Sequence, residues 1–528
     1  MRIRDRWLFV LASVLLAAGI CRAENLVLTP AKDEETGLKA IMEKWKADEL
    51  ESQGGKFGSH GWWPWGLTAF DYDNDGDLDL VAAHHGQPGG RLFKNMLKES
   101  GKLTFVDVIK DLGVPKLSGA DDRPWAWDFD GDGWLDLAGF SDEAKAKSFF
   151  NLEGKKFAEA PFSFHPLSHA AEVIDLNEDG IPDLWGNHRE TRLNYHFDPS
   201  VKSFQAKSEK KIRVVPEERI PAALLEEFAA LKQQKNNRFL GWDVRIPGDL
   251  NGDGRADAYV ALSGGYGATS AGRYLIAAED GALADRTAEL GLPKNGTPIL
   301  VRDLTGDGNL DVIVAFGTEA GLYLGDGKGK FAIQAGKLKS FLEKTGPYML
   351  RAWPNDLDND GDLDLVVSNP RNGVEEVYEN AGGTFEQVLS TGGWDANPVV
   401  VCDIDDNGTL DVCIGGRGEQ IQLYLSSAVK PGRFARIFPR MAKPNPFAVG
   451  ALVEVFKPGE MEQPNAKPIW SEKARPDGQA VHVGLGTLET FDLRVTFPGK
   501  ETVRTECKGV AAGSKYTLVP GGKPEVLK

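Results

Sequence analysis

Short apolar runs recur along the chain in a form that belongs to strands. In LDVIVAF, Leu310, Val312 and Val314 fall on one side and Ile313 and Ala315 on the other, so both faces are apolar and the strand is expected between two layers. LDLVAAH, LDLAGF, ADAYVAL, LDLVVSN and LDVCIGG have the same character. Downstream of most of them come an aromatic strand, a Gly-rich or polar turn and a strand opening on Phe, as in KSFFNLEGKKF and EEVYENAGGTF, which is the grammar of a hairpin. Two stretches change period. GLKAIMEKWKADEL sets Leu38, Ile41, Met42 and Trp45 on one helical face, and PAALLEEFAALKQQKNN does so with Leu224, Leu225, Phe228 and Leu231.

Immediately before each of these runs stands a nine-residue acidic motif. The first, DYDNDGDLD, places Asp71, Asp73, Asp75 and Asp79 at positions 1, 3, 5 and 9, with Gly76 at position 6. The spacing returns in Asp128, Asp130, Asp132 and Asp136, then in Asp175, Asn177, Asp179 and Asp183. It returns again in Asp249, Asn251, Asp253 and Asp257, and in Asp303, Thr305, Asp307 and Asp311. The last two copies are Asp356, Asp358, Asp360 and Asp364, and Asp403, Asp405, Asn407 and Asp411. One acidic turn is ordinary solvated chain; seven with one glycine and one closing Asp form a repeat. Oxygens at positions 1, 3 and 5 converge if the backbone curls, glycine permits the turn at position 6, and position 9 closes the cage. A hard cation relieves the repulsion, and Ca²⁺ suits a flexible all-oxygen cage better than Mg²⁺. The copies that substitute Asn177, Asn251, Thr305 or Asn407 for a carboxylate are expected to bind more weakly.

An EF-hand shares the first six positions but needs Glu at position 12, where this chain has Ala82, Gly139, Gly186, Val260, Val314, Val367 and Ile414. It also needs flanking helices, and strands follow here. Successive motifs lie 47 to 74 residues apart, enough for a four-stranded sheet each. The expected fold is therefore all-β: a seven-bladed β-propeller with calcium loops, a small C-terminal β domain and one or two decorating helices. The expected order is a signal peptide at 1–23, a helical segment at 24–55, the propeller at 56–430 with a helical insertion at about 212–237, and the tail domain at 431–528.

Charge and cysteine count narrow the class. Against 61 basic residues stand 78 acidic ones, a net charge of −17, which disfavours nucleic acid as a partner. Basic MRIRDR, an apolar run and Ala23 read as a secretory leader cleaved after Ala23. A membrane anchor is too short here, and acylation of Cys21 is the alternative, with bulky Ile20 against it. No later run resembles a transmembrane span. Of the remaining Cys402, Cys413 and Cys507, the first two flank one acidic loop, where a bridge and two small buried residues are both open.

These motifs resemble FG-GAP (VCBS) repeats, the blades of integrin α-subunit propellers. FVDVIKDLGV and LADRTAELGL are similar to the segments preceding repeats in the cartilage acidic protein family. The tail, FAVGALVEVFKPG with VHVGLGTLETFDLRVTFPGKETV, resembles the ASPIC/UnbV domain, with NPFAVG and ARPDGQ where that domain carries an Asn-Arg pair and a Ser-Gln segment. The resemblance implies an extracellular or envelope calcium-binding protein with an adhesion or ligand-binding role.

No nucleophile elbow, metalloprotease helix, Cys-x-x-Cys pair or phosphate loop is present, and GDGKGKF reads as a hairpin turn. RPW and RAW put Arg123 with Trp125 and Arg351 with Trp353 at matching offsets before two loops. Indole faces beside guanidinium groups suit sugars, especially acidic ones; packing between blades is the plain alternative. His84 and His85 end a loop strand, where they either line a mouth or meet solvent. The sequence thus favours a binding scaffold for a glycan or an envelope protein over a polysaccharide lyase-like enzyme or a purely structural envelope component, and leaves the oligomeric state open.

Overall fold

The computed structural model describes residues 21–22, 25–52, 54–56, 64–84, 87–88, 90–114, 118–119, 124–138, 146–164, 172–174, 181–188, 191–198, 203–207, 219–235, 241–263, 269–316, 319–334, 351–369, 374–391, 398–415 and 421–527. The apolar run of the leader and His85 lie outside them. Six antiparallel four-stranded sheets follow one another in the chain. The first comprises Pro64–Phe70, Asp79–His84, Gly90–Asn95 and Phe105–Asp107, and the fifth Thr297–Arg302, Asp311–Phe316, Glu319–Gly325 and Phe331–Ile333. The seventh sheet has only three strands from its own repeat, Val399–Cys402, Asp411–Ile414 and Gln422–Ala428. Leu26–Pro30 completes it from the other end of the chain, running from Leu26 opposite Ala428 to Pro30 opposite Tyr424. Cys21–Arg22 adds a short outer strand within the expected leader.

The opening strands of the first and second, the fourth and fifth, and the fifth and sixth sheets touch, and Val399–Cys402 of the seventh touches Pro64–Phe70 of the first, so the last sheet returns to the first. Hydrophobic cores fill the gaps between neighbours. Val312 and Val314 pack against Tyr259 and Tyr274 of the fourth sheet, while Ile313 and Ala315 pack towards Leu365 and Val367 of the sixth. The two apolar faces of LDVIVAF are thus used by different neighbours, as its pattern requires. The helix Leu38–Ser52 buries Leu38, Met42 and Trp45 against the first and seventh sheets. The helix Ala222–Lys235 lays Leu224 and Phe228 on the fourth. Cys402 and Cys413 are buried free thiols.

Residues beyond 431 form two further four-stranded sheets around one core that includes Ile437, Val483, Val455, Phe491 and Val495. One sheet is antiparallel throughout; in the other, Arg433–Pro439 runs parallel to Ser514–Leu518. This sandwich rests on the end of the ring that carries the acidic loops. Gly131 abuts Pro444, Gly408 abuts Phe434, and Lys467 donates to the carbonyl of Gly308 at 2.6 Å.

Candidate functional site

Each acidic loop joins the first strand of a sheet to the second, and six are described through all nine positions. In all six, the position-6 glycine N–H donates to the position-1 carboxylate at 2.7–3.0 Å. That glycine has φ between 81° and 101°, a conformation side chains resist. Position 4 is left-handed as well, and holds Asn74, Gly131, Gly252, Gly306, Asn359 and Asp406, the residue types that tolerate it. The curl turns positions 1 and 3 towards a common point.

Position 9 does more than close a cage. In every described copy its Oδ2 accepts the N–H of position 2 at 2.8–3.1 Å. Its Oδ1 accepts an N–H from the third strand at 2.7–3.0 Å. The closing Asp therefore ties loop, second strand and third strand together. A second tie escaped the sequence reading. Asn95 and Asn151 end third strands, Asn380 stands one residue before the end of another, and each donates Nδ2 to a position-2 carbonyl of the neighbouring loop: to Ile404 at 3.0 Å, Tyr72 at 2.7 Å and Leu304 at 2.8 Å. An Asn recurring 15 or 16 residues after the closing Asp was the available signal.

The loops differ in how their carboxylates assemble. Ligand oxygens of Asp71, Asp73 and Asp79 lie within 4.8 Å of one another, as do those of Asp128, Asp130 and Asp136, of Asp356, Asp358 and Asp360, and of Asp403, Asp405 and Asp411. Among the described residues the copies beginning at Asp249 and Asp303 do not gather three such groups, and Arg255 pairs with Asp253 at 2.7 Å. In the third copy Asp175, Asn177 and Asp179 lie outside the described residues, and Asp183 is buried.

Among the described residues, side-chain cations enter the first and the last of these clusters. Lys94 enters the first, pairing with Asp73, with Asp75 at 3.2 Å and with Glu99 at 2.5 Å. Arg436, from the tail sandwich, enters the last, donating to Asp403 at 2.8 Å and Asp406 at 2.7 Å. The sixth loop carries more acid instead: Glu379 stands at the strand position equivalent to Lys94 and accepts the N–H of Asn25 at 2.9 Å. Asn25 Nδ2 also donates to Asp358 at 2.5 Å.

Burial and the neighbouring carboxylates push Asp71, Asp128 and Asp360 up to about 7. Burial raises Asp403 to about 6 although Arg436 opposes it. Burial would raise Asp406 too, but Lys515, Arg436 and Lys98 outweigh it and hold it at about 2. Among the described residues, the buried oxygens Asp73 Oδ1, Asp356 Oδ1, Asp403 Oδ1 and Glu379 Oε2 accept no hydrogen bond. Converging, desolvated carboxylate oxygens without donors are the donor set of a hard divalent cation.

The model for an FG-GAP-like repeat matches residues 128–185, 249–314 and 356–414. Those three stretches are similar to FG-GAP-like repeats. No curated protein sequence matches it. Among solved structures, an Agrocybe aegerita lectin that recognises non-reducing terminal N-acetylglucosamine is 19% identical over 62% of this chain and 81% of its own, at a TM-score of 0.34. An exotype rhamnogalacturonan lyase is 14% identical over 70% and 74%, at 0.34, and the Dos1 propeller 10% identical over 69% and 94%, at 0.30. At such scores these likenesses carry no argument about activity.

Trp125 and Trp353 are half-buried and pack against the cores between repeats. Trp353 also lines a cavity between the repeat ring and the tail sandwich; Arg351, two residues earlier on the same strand, is not part of that lining. Arg123 lies outside the described residues, and of His84 only the backbone is described, at the end of its strand. GDGKGKF is a hairpin turn, in which Asp326 accepts the N–H groups of Lys328 and Lys330 at 2.8 and 2.9 Å. The cavity's charged lining, Arg302, Glu472, Arg475 and Asp477, escaped the sequence reading because tail residues meet the ring only in three dimensions.

Proposed function

We propose that this chain is a secreted or envelope calcium-binding β-propeller of seven blades, closed by its N-terminal strand and capped by an ASPIC/UnbV-like tail, that serves as an adhesion or ligand-binding scaffold. The observation that carries the reading is the set of buried carboxylate oxygens left without donors where three carboxylates converge. The sixth loop is the strongest candidate, since Asp356, Asp358, Asp360 and Glu379 meet there with no side-chain cation among the described residues. Asp128, Asp130 and Asp136 form the second. Calcium is preferred to magnesium because the cage is all oxygen and imposes no octahedron. The ions would neutralise loops at the blade corners and keep the recognition surface rigid.

Calorimetry of the full chain in excess calcium and after chelation tests this. A site filled at a hundred times its Kd adds about 2.7 kcal/mol, so chelation is expected to lower Tm by several degrees or more. Unfolding that is indifferent to chelation, together with native mass spectra free of bound divalent ions, overturns the metal reading. A glycan array probed in calcium tests the scaffold reading, with selective retention of one glycan class expected.

A further inference from the structure

The cavity between ring and tail has a volume of 420 Å³, inside the range of roughly 300–1,000 Å³ found for small-ligand sites. Leu67 and Val399–Val401 supply an apolar part of its wall from the opening strands of the first and seventh sheets. From the ring Trp353, Asn355 and Arg302 reach it; from the tail come Glu472, Arg475 and Asp477. None of these six belongs to the metal-ligand positions of the acidic loops, so the metal reading leaves them unused.

Their charges balance, two guanidinium groups against two carboxylates. Arg302 donates Nη2 to the carbonyl of Ser471 at 2.6 Å and lies 5.9 Å from the centroid of the Trp470 ring. Arg475 donates to Asp477 at 2.6 Å. Glu472 accepts from Trp470 Nε1 at 3.2 Å, and burial raises its carboxyl although both arginines oppose the rise. An entering anion must compete with Asp477 for Arg475 and face Glu472 as well; an entering cation meets two arginines. A neutral ligand rich in hydroxyls escapes both conflicts. Carboxylates accept from hydroxyls, guanidinium groups donate to them, Asn355 does either, and the indole of Trp353 offers an apolar face to ring C–H groups. Polar groups that lose water in such a site demand hydrogen bonds in return, which disfavours ligands without donors and acceptors.

We infer that this cavity binds a neutral sugar unit of a glycan, held by Glu472, Asp477, Arg475 and Asn355 and stacked on Trp353. The assignment rests on the ligand-binding reading above and narrows it, replacing the acidic sugar that the Arg–Trp pairs favour.

The test uses the full chain in calcium. Methyl glycosides of glucose, galactose, mannose and N-acetylglucosamine are titrated by calorimetry and saturation-transfer NMR beside galacturonate. At least one neutral glycoside is expected to bind about tenfold or more tighter than galacturonate. Glu472→Gln should weaken it by about fivefold or more with Tm unchanged, and Trp353→Phe by as much with the circular dichroism spectrum retained; if either misfolds, Asn355→Ser carries the same test. Tighter binding of galacturonate, or a glycan retained on the array and bound equally by the variants, overturns the cavity assignment and leaves the scaffold reading standing. Absence of binding to every glycan on the array overturns both.

Discussion

At the scale of single residues, the closing Asp of each fully described repeat holds two backbone donors. In the sixth copy Asp364 accepts from Leu357 and Asn380, both at 2.8 Å, and is fully buried. Asp364→Ala leaves two buried N–H groups unpaired at about 1–3 kcal/mol each, so a loss of about 2–6 kcal/mol is expected from urea unfolding, with Asp364→Asn losing less. His482 shows the opposite economy, a titratable group kept neutral. It shares a hydrogen bond of 2.7 Å with Asn359 Oδ1 and stacks on Phe434. Burial, then the charge of Arg436, lowers it from 6.5 to about 3. The unfolded chain takes up this proton below pH 6.5 while the folded chain refuses it, so stability falls as pH drops from 6.5 towards 3 and is untouched by this group above that window. Chemical denaturation across that range should show a shallower acid slope for His482→Gln than for the wild type.

At the scale of elements, the repeat is one device with variable wiring. The strand position occupied by Lys94 in the first repeat is Glu379 in the sixth, so an ammonium serves one loop where the other gains a further carboxylate. Replacing Lys94 by Met removes that internal competitor for Asp73 and Asp75. Native mass spectrometry of Lys94→Met is expected to count one calcium ion more than the wild type, and an unchanged count would show that Lys94 does not keep the metal out of the first loop. Spacing made the loops, their following strands and both helices legible, because each depends on neighbours a few residues away. The first loop, with carboxylates at all four positions, read as one of the strongest; the lysine that enters it stands 19 residues beyond Asp75, on another strand. The loop beginning at Asp403 read as weak because of Asn407, yet three carboxylates still gather there, since positions 1, 3 and 9 suffice.

At the scale of the whole molecule, ring and tail meet at backbone distance over the sixth loop. A Cβ at Gly484 would stand 1.6 Å from Asp356 Oδ2, and one at Gly432 would stand 1.6 Å from the carbonyl oxygen of Asn359. Gly484→Ala is therefore expected to cost about 1–3 kcal/mol or more, in the manner of an overpacked core. Limited proteolysis should then cut near residue 431 faster in the variant, and equal rates would show that the seam is not strained. Ring closure belongs to this scale too: Leu26–Pro30 and the Asn95 to Ile404 bond join the two ends of the repeat array.

By itself the sequence determined the periodic part of this protein: seven acidic motifs, their glycines, and strands apolar on both faces, because these follow from local spacing. Only the tertiary structure decided which loop meets a lysine, an arginine or an extra glutamate, and where a cavity opens between ring and tail. Those outcomes depend on residues tens to hundreds of positions apart, whose proximity is a property of packing.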